Sequence, residues 1–254
     1  MNDFKIEIIN PEEVKMLFKS WGRFATKCYN TPIKYAEKVG KSCLETGHFS
    51  GSRSRYIEFD VTNVPRALVD QLVRKEIGCA KNVASGRYID YSNFTYYTPP
   101  ILKAVPKALA IYEEHMEITK TNYKKMSEIL SENGITGEKN FEICRGISPM
   151  NYNTGLCIGF TIESFIDVCH ERLCVCAQEH IRRLVKMMRD EVVKLLPELE
   201  GHLVAKCDAL LYCPESAKRS CGRHIQKDEL KLIIQEHKEK QTKKKKIEEI
   251  KKWL

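Results

Sequence analysis

The stretch Gln71-Leu72-Val73-Arg74-Lys75-Glu76, followed after eight residues by Ser85-Gly86-Arg87-Tyr88, sets polar hooks at both ends of a short connector. Arginine presents a planar fork of donors that matches phosphate or carboxylate oxygens, and a serine hydroxyl adds a short donor and acceptor beside it. An arginine closing an apolar helix and a Ser-x-Arg pair beyond it could clasp one anionic ligand, chemistry that suits a nucleotide. The same side chains also have an ordinary use, since Arg74 and Arg87 could cap helix ends or pair with surface carboxylates.

Upstream, Asn10-Pro11-Glu12-Glu13 opens one helix with a cap residue and a proline at the first position, and Thr31-Pro32 opens another in the same manner. Phe24 to Asn30 and Gly47 to Ser52 read as irregular segments where small polar groups could meet a ligand. Arg55 to Val61 alternates polar and apolar residues as a strand does, and a helix follows from about Val64 to Glu76 with Leu68, Leu72 and Val73 on its apolar stripe. Downstream, a loop from Asn82 to Tyr91 leads to Pro99-Pro100, and a long amphipathic helix runs to about Glu132, where Asn133-Gly134 breaks it. Gly155 to Thr161 gives a second strand, and helices cover about Glu163 to Glu171 and Ala177 to Leu196. This pattern predicts an α+β fold, a small and mainly antiparallel sheet surrounded by helices. With no Walker loop and no Gly-x-Gly-x-x-Gly, bound phosphates would be held by side chains and exposed backbone amides.

The 254 residues, 43% of them hydrophobic, can bury one sizeable core. One large domain with appendages is expected: residues 1–205 as the nucleotide-binding domain, 206–225 as a cysteine-rich segment, and 226–254 as a lysine-rich helical tail. No apolar run approaches the roughly 20 residues of a membrane helix, and the first residues lack the order of a signal peptide. The expectation is a cytoplasmic protein whose 11 cysteines are thiols or metal ligands. The net charge of +8 is uneven, because from Lys227 to Leu254 ten lysines face six acidic residues and supply +4 of it. The remaining body is mildly basic, which suits small anions in local pockets better than a polymer along a stripe.

The Arg74-Lys75-Glu76 triplet with Ser85-x-Arg87-Tyr88 resembles the signature of the flavin-dependent thymidylate synthases, in which Arg-His-Arg precedes a loop ending in Ser-x-Arg-Tyr. Three more segments follow the family's order. Gly47-His48-Phe49-Ser50 resembles its His-x-Ser/Thr segment, Arg145 to Pro149 its Arg-x-x-x-Pro segment, and Arg172 to Gln178, continuing through Ile181, its Arg-x-x-x-x-Ala-Gln-x-x-Ile helix. The resemblance spans about Cys28 to Leu196 and implies the family's fold. It also implies the family's chemistry: FAD reduced by NADPH, and the methylene of methylenetetrahydrofolate moved onto C5 of dUMP without a cysteine nucleophile. Carried onto this chain, it implies that Gln71, Ser85, Gly86, Arg87, Arg145 and Arg172 hold dUMP. His48, Ser50, Arg74, Lys75, Glu76, Asn82, Arg172 and Gln178 would face FAD, with Arg172, Ser85 and His48 at the chemistry. A homotetramer with FAD between subunits is the implied assembly.

The departures lie on the flavin side. Lys75 stands for the triplet histidine and Glu76 for its second arginine, Val83-Ala84 replaces the acidic or amide residue before the serine, and the connector is one residue longer. Thr161-Ile162-Glu163 aligns with an Asn-x-Arg contact, so another cation is lost. A catalytically inactive member that keeps the nucleotide pocket and serves as a binding or assembly subunit is therefore the alternative reading.

Two features fall outside the resemblance. Cys207, Cys213, Cys221 and His224 could form a tetrahedral zinc site, or the first two could pack in a small turn while Cys221 stays an exposed thiol. Cys79 and Cys176 are conceivable nucleophiles, although no base is identifiable beside them. In the tail, Leu230, Ile233, Ile234, His237, Ile247, Ile250 and Trp253 fall at roughly helical spacing, suggesting a helix that docks on the body or on another subunit. Nucleic-acid attachment through Lys243 to Lys246, with a zinc-bearing segment beside it, is the weaker reading of the same residues.

Overall fold

The structure is a computed structural model that describes residues 3–253, with side chains described as far as Thr242 and at Lys244. Its helices are α1 (Pro11–Lys15), α2 (Leu17–Cys28), α3 (Ala36–Glu45), α4 (Arg66–Leu72), α5 (Pro106–Glu132), α6 (Gly137–Cys144), α7 (Ile162–Arg172), α8 (Glu179–Leu195), α9 (Lys206–Leu210) and α10 (Lys227–Trp253). Four strands, β1 (Lys5–Ile8), β2 (Ile57–Pro65), β3 (Cys79–Val83) and β4 (Asn153–Phe160), form one sheet in the order β1-β2-β4-β3. Every pairing is antiparallel, so the α+β expectation holds.

The sheet is centred on β2 and β4 because these strands carry the apolar side chains. Ile57, Phe59 and Val61 alternate inward from β2, and Leu156, Ile158 and Phe160 meet them from β4. Helix α8 covers this face with Ile181, Leu184, Val185, Met188 and Val192, whose spacing of three and four residues puts all five on one stripe. Between Val61 and Val64 the β2 register slips at Asn63, which takes a left-handed φ of 62° and receives the Asn153 amide at 2.9 Å. Helices α2 and α3 pack closely enough for their backbones to touch, since a Cβ on Gly22 would lie 1.6 Å from the Ala36 carbonyl oxygen.

Several local expectations change. Phe24 to Asn30 is helical as far as Cys28, because α2 continues with Phe24 turned to solvent. The helix expected over Val64 to Glu76 is only Arg66–Leu72: Val64 and Pro65 still pair with β4, and the chain turns after Val73. Asn82 belongs to edge strand β3 rather than to a loop. Asn10 does not cap α1 through its side chain; its amide donates to the Tyr56 carbonyl at 3.0 Å and its oxygen accepts from the Glu58 amide at 3.0 Å, tying α1 to β2. The tail is helical, but Leu232, Ile233 and Ile234 are exposed, so this part of α10 does not dock on the body. The side chains of Lys243, Lys245 and Lys246, with those of Ile247, Ile250 and Trp253, lie outside the described residues. Among the described residues, no helix is long and apolar enough to cross a membrane.

Candidate active site

Helix α4 ends at Leu72, and its last carbonyls need partners that the helix cannot supply. Lys81 of β3 provides one: its ammonium donates to the Val73 carbonyl and, at 2.9 Å, to that of Lys75. The connector between α4 and β3 is held in this way against the sheet, and its last residue, Gly78, takes φ 67° while accepting the Thr161 amide at 2.9 Å. A side chain at Gly78 would sit 2.6 Å from the Thr161 hydroxyl, so this approach requires glycine.

That packing brings α4, the connector and α7 together around three adjoining depressions. The central one, about 150 Å³, is lined by Gln71, Arg74, Lys75, Glu171 and Arg172. The Gln71 amide donates to the side chain of Gln178, the residue before α8, so two distant positions of the expected site meet directly. Three cations, Arg74, Lys75 and Arg172, face one carboxylate, Glu171. Lys75 pairs with Asp167 at 3.1 Å and Arg172 reaches Glu171 at 3.8 Å, which leaves Arg74 without a carboxylate partner among the described residues. The local excess of positive charge suits a phosphate.

The second depression, about 300 Å³, shares Lys75 and is bounded by Arg53, Tyr56, Gly78, Thr161, Glu163, Ser164 and Asp167. Arg53 grips Glu163 through two hydrogen bonds, 2.7 and 3.2 Å. The Ser164 hydroxyl is buried there with no hydrogen-bond partner among the described residues, at the first turn of α7. An orphaned hydroxyl at a helix start fits an anionic or carbonyl-bearing ligand group. A flavin therefore fits this wall in hydrogen-bonding terms, although both of its cations are already paired. His48 and Ser50 lie exposed near this region; the Trp21 indole fixes the loop by donating to the His48 carbonyl at 3.1 Å, so the imidazole is left to solvent. Asn82 and Glu76 are likewise exposed.

The third depression, about 270 Å³, shares Glu171 and Arg172 and is lined by Cys174, Cys176, Cys207, Cys213 and Cys221. Cys207 lies with Asp208 and His224 in a group whose ligand atoms are all within 4.8 Å of one another. Cys213 and Cys221 face the same cavity but stand outside that tight group. Cys79, on β3, is held above its ordinary pKa by burial, against the opposing charges of Lys81 and Lys75, so it stays protonated at neutral pH.

The other half of the expected grip is assembled elsewhere. Ser85 to Tyr88 forms a turn in which the Ser85 oxygen accepts the Arg87 amide at 3.3 Å, and buried Gly86 lies against Arg145, whose Cδ would be 3.3 Å from an added Cβ. Arg87 pairs with Glu138 and lies 4.0 Å from Glu142. Ser85, Gly86, Arg87 and Arg145 thus converge, but beyond the far end of β3 from Gln71, Arg74 and Arg172. At roughly 3.3 Å per residue the five-residue strand separates its ends by on the order of 15 Å. Arg53, Glu171 and Ser164 also line these depressions, and no motif in the sequence points to them.

Comparison with known proteins matches the family model "Thymidylate synthase complementing protein" over residues 13–198. A flavin-dependent thymidylate synthase of Nitratidesulfovibrio vulgaris is 34% identical over 183 residues, covering 72% of this chain and 74% of that protein. Another of the same name, from Clostridium tetani, is 29% identical over 198 residues, covering 74% of this chain and 78% of its own. The matched region contains both halves of the grip and the first two depressions, and it stops before the cysteine-rich segment. The chain belongs to the flavin-dependent thymidylate synthase family as a divergent member.

Proposed function

We propose that the chain methylates dUMP at C5, with methylenetetrahydrofolate as carbon donor, FAD as cofactor and NADPH as reductant. The observation that carries this reading is the central depression, where Gln71, Arg74, Lys75 and Arg172 meet with an excess of positive charge and Gln71 is braced by Gln178. The planar guanidinium fork of Arg172 would orient the nucleotide and stabilise negative charge on the pyrimidine. Gln71 offers an amide to a pyrimidine edge. Bound FAD would supply hydride transfer. Arg74, Arg53, the start of α7 and the Ser164 hydroxyl would hold its phosphates and ring, with His48 and Ser50 closing the site. Cys79, protonated, supplies no nucleophile.

The two halves of the nucleotide grip lie at opposite ends of β3, on the order of 15 Å apart along the strand. We read this separation as support for a homotetramer in which Ser85, Gly86, Arg87 and Arg145 of one subunit complete the Gln71–Arg172 half of another. Proximity of three ligands is what such a site supplies to the reaction.

A second reading has its own observation. Lys75 is bound by Asp167 and Glu163 by Arg53, so the four charges that line the second depression are internally neutralised. A nucleotide-binding or assembly subunit without turnover would show that pattern. Anaerobic incubation with FAD, NADPH, methylenetetrahydrofolate and dUMP, read by product mass, separates the two. A nucleotide one methylene heavier supports the enzyme. No product, with colourless protein that dUMP still stabilises against heat, supports the binding subunit.

A further inference from the structure

Residues 206–226 carry chemistry that the nucleotide and flavin reading does not use. After α9 the segment runs through turns, with Leu211 at φ 60° and Gly222 at φ 77°, and its only buried side chains are Cys207 and Cys213. About twenty residues with so little regular structure and so small a core call for a staple. Asp208 holds the His224 ring nitrogen at 2.8 Å, and Arg223 donates to both the Asp208 carboxylate at 2.7 Å and the Cys207 sulfur at 3.1 Å. One guanidinium group therefore bridges a sulfur and a carboxylate, at a point where the surroundings favour a cation. Cys221, two residues before Arg223, faces the same cavity as Cys207.

We propose that this is a zinc site whose ligands are Cys207, Asp208, Cys221 and His224, and that the metal displaces the Arg223 guanidinium. Two thiolates, a carboxylate and an imidazole are the donors that tetrahedral zinc takes, and a four-ligand closed set is structural rather than catalytic. Cys213, which the sequence spacing suggested as a ligand, is buried, and its backbone amide donates to the Ile225 carbonyl at 2.7 Å, closing the segment on itself. Binding releases the two thiol protons to solvent. Because Cys207 and Cys221 share their cavity with Arg172, the metal would also fix one wall beside that arginine.

The test uses the full chain purified without chelators: metal content by mass spectrometry, then cobalt(II) titration of the stripped protein. The expected result is one equivalent of zinc and a sulfur-to-cobalt charge-transfer band. Cys221→Ser and His224→Ala, both away from the buried core, should each weaken cobalt binding by at least about tenfold. Arg223→Met should bind the metal more tightly, because the competing cation is gone. No charge-transfer band in the unaltered protein overturns the proposal, as does an Arg223→Met variant that loses metal like the ligand variants. Loss of metal in Cys176→Ser with retention in Cys221→Ser overturns the ligand set.

Discussion

Arg53 holds both carboxylate oxygens of Glu163, a residue 110 positions further along the chain, at 2.7 and 3.2 Å. The family pattern has a cation where Glu163 stands, and this pair puts a cation back beside that position from the other side of the depression. An exposed pair of this kind contributes little to folding. Its effect on a ligand is expected to be larger. Arg53→Ala should weaken FAD binding by roughly tenfold with little change in Tm, and Glu163→Gln, which frees Arg53, should strengthen it. Flavin fluorescence titration measures both; equal affinities across the set would show that Arg53 takes no part.

Arg87 is engaged by Glu138 in the protomer. Arg87→Ala should weaken dUMP binding by more than about tenfold, and Glu138→Gln should tighten it, because a charge-assisted bond to phosphate is lost in the first and freed from competition in the second. Calorimetric titration with dUMP reads the pair. Unchanged affinity for Arg87→Ala removes this residue from the site.

The glycines separate fold from function. Gly22→Ala would put a methyl group into the Ala36 backbone, and Gly40 stands in the same relation to the Phe18 carbonyl at 2.0 Å, so no side-chain rotation relieves either clash. A loss of about 3 kcal/mol or more is expected for Gly22→Ala in urea unfolding. Gly86→Ala meets the Arg145 side chain, Cδ at 3.3 Å and Cβ at 3.4 Å, and touches the Tyr91 ring at 3.8 Å, so it should cost far less stability than Gly22→Ala while displacing Arg145 and weakening dUMP binding. Identical behaviour of the two variants in both assays would contradict this division.

Acid should destabilise the fold through two histidines. Burial pushes His180 below its ordinary pKa, against the nearby Glu179, and burial likewise lowers His170. The unfolded chain therefore binds protons that the folded chain refuses. The stabilising contribution of the neutral rings is complete above about pH 6.5 and declines as pH falls toward the folded pKa values. Tm should drop by about 2–4 °C or more between pH 7.5 and 5.5, and His180→Phe should flatten part of that slope. A variant with an unchanged slope would assign the effect to other groups.

Legibility in the sequence followed burial and sequence distance. β2 and β4 were readable because Ile57, Phe59, Leu156 and Ile158 alternate as a half-buried pleat requires. β3 was not, because this edge strand reads Cys-Ala-Lys-Asn-Val and its polar positions look like a loop. α2 was cut short because Phe24 points outward and interrupts the apolar stripe. Within the site, Gln71, Arg74, Lys75, Arg172 and Gln178 follow from the resemblance to the family, and the structure brings them together. The Arg53–Glu163 and Arg87–Glu138 pairs could not be read, since each joins segments whose proximity exists only after the sheet has formed. The same holds for the guanidinium of Arg223 between Cys207 and Asp208.

Lys81 binds two carbonyls of the turn that follows α4. A turn anchored in this way opens only when β3 itself opens, so the hydrogen-bonded amides of Val73 and Lys75 should exchange with solvent deuterium at the pace of the sheet rather than of a surface loop. The two amides that flank Arg74 would then report the opening of the sheet. Ligands would meet a preformed edge there, and neutralising one amine at Lys81 would be enough to turn it into a moving one.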